Sequence, residues 1–198
     1  MNNFQKHQKQ ISELQGKPTL LIHICCGVCS VYPLQYLRKY FNITIFFSNS
    51  NIYPYEEYNK RLDALQTYLA YLNDPSINLI IDKYDNEEYT KQLLPLKDEP
   101  ESGRRCKLCY RMRMEETFRY ASKHNYEYCT TVMSISNRKN ADWLNEIGQE
   151  LENKYNVKYL YANFKKDGGI IQNDILNKEL NLYHQDYCGC IYSIRNEK

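Results

Sequence analysis

The sequence of 198 residues predicts a doubly wound α/β fold with a mostly parallel sheet. Short apolar, β-branched runs recur along the chain, and each is followed by a longer stretch whose apolar residues fall at helical spacing. The first such pair is joined by a turn crowded with cysteine, "HICCGVCS". In folds of this class ligands bind at the carboxyl ends of the strands, which is where that turn falls.

Each element follows from local pattern. "MNNFQKHQKQISEL" is polar and helix-like, and "TLLIHI" (Thr19–Ile24) suits a buried strand. "VYPLQYLRKYF" carries Leu34, Leu37 and Phe41 at helical spacing. "ITIFFSNSNIYP" reads as a second strand ending in a polar loop, with "YEEYNKRLDALQTYLAYL" as a helix after Pro54. Further strands are expected at "INLIID", "YCTTVM" and "VKYLYA", with helices at Glu87–Leu94, Cys106–His124, Asn140–Tyr155 and Gly169–Leu182. "PLKDEPESGRR" (Pro95–Arg105), rich in Pro, Gly and charge, reads as a surface loop. With no repeat or low-complexity tract, the chain reads as one α/β domain over residues 1–198, with a metal site at the strand ends and a C-terminal Cys-Gly-Cys segment.

The formal net charge of +2 does not announce nucleic-acid binding, so such a partner must be held by a local patch. No stretch approaches the ~20 apolar residues of a membrane span, and the N-terminus lacks an apolar signal region. The expectation is a cytoplasmic protein without a membrane partner. Thiols stay reduced there, so eight close-spaced cysteines read as metal ligands or redox centres.

Cys106 and Cys109 share one face of a helix start, where the helix dipole favours thiolates. Cys25 and Cys26 converge only if the strand breaks at that point, and Gly27 is expected to supply the freedom. Four thiolates from CC and CxxC suit zinc or a [4Fe–4S] centre, and Cys29 beside them raises the ligand count beyond one tetrahedral zinc. A bond across Cys188-Gly189-Cys190 would close a small, strained, easily reduced ring. Cys129, alone in a strand, reads as a small buried hydrophobe.

"HICCGVCSVYPL", "NIYPYEEYNKR", "GRRCKLCYRMRM" and "YCGCIYS", in this order, resemble the QueH family of epoxyqueuosine reductases. The resemblance implies a fold like the adenine nucleotide alpha hydrolases, a [4Fe–4S] cluster with an adjacent mononuclear iron, and reduction of epoxyqueuosine to queuosine in transfer RNA. It puts the cluster ligands at Cys25, Cys26, Cys106 and Cys109 and a redox-active disulfide pair at Cys188 and Cys190. Cys29 stands where some members carry a carboxylate and is the candidate second-iron ligand, with Asp85 as a weaker candidate whose other reading is a helix cap.

Removing an epoxide oxygen to leave an alkene takes two electrons and two protons, so a metal centre and an external electron donor are implied. His23 and Tyr187 are the candidate proton sources, with a core histidine as the preferred role for His23. Arg104, Arg105, Arg111, Arg113 and Lys107 flank the CxxC, and Arg138 and Lys139 follow a strand, forming an expected basic collar for transfer-RNA phosphates. Two alternatives are an ATP-dependent thiolation enzyme of the PP-loop type and a zinc-binding RNA module. In the first, cysteines of "CGVCS" replace a glycine and the aspartate of the nucleotide loop.

Overall fold

The computed structural model of the chain describes residues 1–194, so residues 195–198 of the expected 1–198 domain lie outside the described residues. Strands β1 (Thr19–His23), β2 (Asn42–Phe47), β3 (Asn78–Ile81), β4 (Tyr128–Thr131) and β5 (Lys158–Tyr159) form one sheet in the order β3-β2-β1-β4-β5. Every pairing is parallel. Leu20, Leu21 and Ile22 of the central strand are wholly buried, which is why that strand reads as a continuous apolar run instead of an alternation.

Helices α1 (Asn3–Ser12), α2 (Gly27–Leu37), α3 (Tyr55–Leu72), α4 (Asn86–Leu93), α5 (Arg104–Lys123), α6 (Ala141–Tyr155) and α7 (Gly169–Glu179) complete a Rossmann-like, doubly wound architecture. The chain leaves β1 toward β2 and β3, then returns to add β4 and β5 on the other side. The strand order therefore reverses at the carboxyl ends of β1 and β4, the position at which such sheets open a crevice. Among the described residues no helix is long and apolar enough to cross a membrane.

Three local departures from the sequence reading bear on the site. Helix α2 begins at Gly27, a turn earlier than the apolar spacing suggested, so Cys26 is its N-cap and Cys29 lies in its first turn. Gly27 serves close packing and not a break: its φ is not positive, and a Cβ there would meet the Ala64 backbone of α3 at 2.6 Å. The expected strand at "VKYLYA" shortens to Lys158–Tyr159 because side-chain amides take over the ladder. Gln10 Oε1 accepts from the Tyr161 N–H at 2.9 Å and Asn145 Oδ1 from the Ala162 N–H at 3.0 Å.

Candidate metal and redox site

The end of β1 delivers the first thiol group. Cys25, Cys26 and Cys29 are all buried, with their sulfurs within 4.8 Å of one another. Cys25 Sγ lies 3.7 Å from Cys26 Sγ, and the sulfurs of Cys26 and Cys29 are paired in direct contact. The family resemblance implies different centres for those two thiols. Their meeting follows from the early helix start, since residues three apart share a helix face. Gln185 donates from Nε2 to Cys26 Sγ at 3.2 Å.

Burial acts to raise the Cys25 thiol, but Lys139, Arg113 and Arg61 outweigh it and hold its pKa below the ordinary thiol value. That favours thiolate, the form that binds metal. Arg113 is buried and donates to Asn49 Oδ1 at 2.8 Å. Burial acts to lower its pKa, but its interactions with Cys109 and Cys25 outweigh that and raise it.

The second thiol group stands at the N-terminus of α5. Cys106 Sγ accepts from the Ser102 N–H at 3.3 Å. Burial pushes the Cys109 thiol up to about 11, with Arg113 acting against the shift. Tyr89 sits beside it, donating to the Cys109 carbonyl at 3.1 Å with its oxygen 3.3 Å from Sγ. Cys106 and Cys109 line one small cavity together with Cys188 and Cys190.

Cys188 also lines a larger cavity of about 270 Å³, together with Cys29, Arg138, Lys139, Gln185 and Tyr187. This cavity opens where the strand order reverses, between the start of α2 and the loop after β4. Cys188 thus borders both thiol groups. Cys188 and Cys190 are free thiols here, the Cys190 thiol approaching Ser193 Oγ at 3.5 Å.

A family model described as epoxyqueuosine reductase QueH matches residues 20–196. The chain belongs to the QueH family. Among proteins named epoxyqueuosine reductase QueH, it is 32% identical to that of Streptococcus pyogenes serotype M1, over 98% of this chain and 78% of the relative. It is 36% identical to those of Staphylococcus epidermidis, over 89% and 76% of the two chains, and of Thermotoga maritima, over 91% and 93%. QueH proteins are thus named as oxidoreductases, in keeping with a site built from thiols.

Several expected roles within this QueH site are corrected. Asp85 is the N-cap of α4, accepting from the Glu88 N–H at 3.2 Å and pairing with Lys83 at 3.0 Å, and no cysteine lines the cavity it borders. His23, by contrast, takes the core role expected of it. Desolvation, aided by Arg113, keeps it neutral well below its usual pKa; its Nε2 faces the Ser48 carbonyl at 3.3 Å, so Nδ1 accepts from the Thr131 hydroxyl at 2.9 Å. Tyr187 spends its hydroxyl proton on the Tyr53 carbonyl, and burial pushes its pKa up to about 12.

The basic collar is smaller than expected. Arg105 is buried and donates to the carbonyls of Lys97, at 2.8 Å, and Glu99, clamping the loop before α5. Arg104 pairs with Glu99, Lys107 with Glu146 and Arg111 with Glu150. Arg138 remains exposed at the cavity rim, its guanidinium donating to the Asp186 carbonyl at 3.2 Å, and Lys139 is buried beside it. Tyr89, Gln185 and Asn177 were not anticipated, because single polar residues carry no spacing signal. Asn177 and Gln185 line the larger cavity, and each has a buried amide oxygen without a partner.

Proposed function

We propose that this chain reduces the epoxide of epoxyqueuosine in transfer RNA to the alkene of queuosine. Both carbon–oxygen bonds of the ring break, and the oxygen leaves as water after taking up two electrons and two protons. The electrons come from an external reductant. The observation that carries this reading is the position of Cys188, which borders Cys106 and Cys109 in one cavity and Cys29 in the other. A dithiol segment so placed is suited to pass electrons inward from the surface.

The donor set fits iron, since it is built from soft sulfur ligands, and the cations that lower the Cys25 thiol suit a cluster that carries negative charge; burial raises the thiols of Cys106 and Cys109, so the helix start alone does not make them thiolates. Following the family resemblance, Cys25, Cys26, Cys106 and Cys109 would hold a [4Fe–4S] cluster and Cys29 an adjacent mononuclear iron; among the described residues Cys25, Cys26 and Cys29 form one metal-sized group, while Cys106 and Cys109 line a separate small cavity. When bound, these centres supply single-electron transfers and a Lewis acid for the epoxide oxygen.

The chain's own groups do the rest. Lys139 acts to lower the Cys25 pKa and lines the larger cavity, where an ammonium group favours the oxygen that gains electrons. The unpartnered amide oxygens of Asn177 and Gln185 are available to accept from donors on the substrate ring. Arg138 at the rim meets phosphate, which makes transfer-RNA binding salt-dependent. No observation favours the ATP-dependent thiolation or zinc-module readings.

The test is anaerobic incubation of iron-loaded protein with a reductant and transfer RNA carrying epoxyqueuosine, followed by nucleoside analysis. Queuosine should replace epoxyqueuosine. Unchanged epoxyqueuosine with fully loaded protein overturns the proposal.

A further inference from the structure

The segment "NIYPYEEYNKR" carried part of the family resemblance, yet none of its residues had a role. The fold gives it one. Arg61, on α3 and only 2% exposed, uses its guanidinium in three directions. Nε donates to Glu57 Oε1 at 2.7 Å, one turn back on the same helix. The other two nitrogens leave α3 altogether, donating to the Cys188 carbonyl at 2.9 Å and the Tyr187 carbonyl at 3.1 Å.

Glu57 is equally committed, since its second oxygen accepts from the Tyr183 hydroxyl at 2.6 Å. The same stretch grips the C-terminal segment twice more, without any side chain of α3. The Tyr53 N–H donates to the Gly189 carbonyl at 2.8 Å, and the Tyr53 carbonyl accepts from the Tyr187 hydroxyl. Gly189 is fitted to this grip: its φ is +127°, and a Cβ there would stand 3.0 Å from an Arg61 nitrogen.

A buried ion pair such as Arg61–Glu57 contributes little stability for its own sake, because desolvation offsets most of the attraction. Its value here is geometric. The planar guanidinium fork fixes two successive carbonyls at once, which a lysine cannot do. We propose that Arg61, oriented by Glu57, is the positioning residue of the Cys188-Gly189-Cys190 segment and holds Cys188 at the border of both thiol groups. This rests on the reading of Cys188 and Cys190 as an electron relay, but its central test does not need activity.

Iron-loaded Arg61→Met, Arg61→Lys and wild type are treated anaerobically with an alkylating agent, and the labelled cysteines are mapped by mass spectrometry. In Arg61→Met, Cys188 and Cys190 should be labelled at least ~10-fold faster, the factor that goes with losing about 1.4 kcal/mol of restraint. Arg61→Lys, which keeps the charge but not the fork, should show most of that increase. Cys129, buried in β4, is the internal control and should stay unlabelled.

Parallel labelling of Cys129 would make Arg61 a residue of general stability and overturn the proposal, as would unchanged labelling of Cys188 and Cys190 in both variants. If Arg61→Met does not fold, Arg61→Lys and Gly189→Ala, which crowds the grip from the other side, give the same reading. Turnover separates this idea from the relay itself. Arg61→Lys should lose turnover with a dithiol donor more than with a strong one-electron reductant that bypasses the segment. If Cys188→Ser with Cys190→Ser leaves dithiol-driven turnover intact, the relay reading fails while the labelling result still decides the role of Arg61.

Discussion

The Tyr89 oxygen stands 3.3 Å from Cys109 Sγ and 3.1 Å from the carbonyl of the same residue, so one hydroxyl from α4 reaches both ends of a cysteine on α5. Burial raises the Cys109 pKa, and the Tyr89 contact opposes it. Replacing Tyr89 with Phe removes a hydroxyl whose single proton bonds the Cys109 carbonyl beside the proposed ligand sulfur, at a stability cost of about 1 kcal/mol. Iron should then be lost to a chelator roughly 10-fold faster, as outer-shell partners of metal ligands generally affect retention. Release followed by absorbance decides the point, and wild-type retention would make Tyr89 a packing residue.

Single Ala replacements of Cys25, Cys26, Cys106 and Cys109 are expected to cost both bound iron and turnover, because each removes one of the proposed cluster thiolates. Iron content and visible absorbance after anaerobic reconstitution measure the effect. Full iron and turnover in two of these variants would show that the ligand set is misassigned.

Gly27→Ala tests the packing that places the first thiol group. Ala in a helix normally gains about 1 kcal/mol over Gly. Here the added Cβ would press on the Ala64 backbone at 2.6 Å, so the sign should reverse. A loss of about 1–3 kcal/mol is expected, read as a lower melting temperature. A stabilised variant would mean that α2 and α3 can move apart freely.

His7 ties α1 to α2 and to the chain just after β5, and should make stability fall in acid. Its Nδ1 donates to the Tyr161 carbonyl at 2.6 Å, and Nε2 accepts from the Tyr36 hydroxyl at 3.2 Å. Burial lowers its pKa below 6.5, with the Tyr161 carbonyl acting the other way. The unfolded chain therefore takes up a proton first as pH falls, and stability present above about pH 6.5 is progressively lost below it. Urea midpoints measured from about pH 7 to about pH 5 should decline, and His7→Gln should start lower but decline less steeply.

The strand and helix succession was legible because apolar period and β-branched composition are local properties, and so were the thiol groups, whose members stand close in sequence. Helix starts were less legible. The first turn of α2 holds Cys29 and is capped by the extended Cys26, and neither residue carries a conventional capping signal. The shortened β5 depended on Gln10 and Asn145, residues of two helices that no strand pattern can reveal.

The fate of each charge was decided in three dimensions. Arg105, Arg113 and Arg138 look alike in the sequence. The first clamps a loop, the second is buried between thiols, and the third stays at a cavity rim. By itself the sequence determined an α/β sheet with cysteine at its strand ends and the family to which the chain belongs. Only the tertiary structure decided that Cys188 borders both thiol groups and that Arg61 grips its carbonyl. Those relations join residues far apart in the chain, and burial, charge and hydrogen-bond direction exist only once the chain has brought them together.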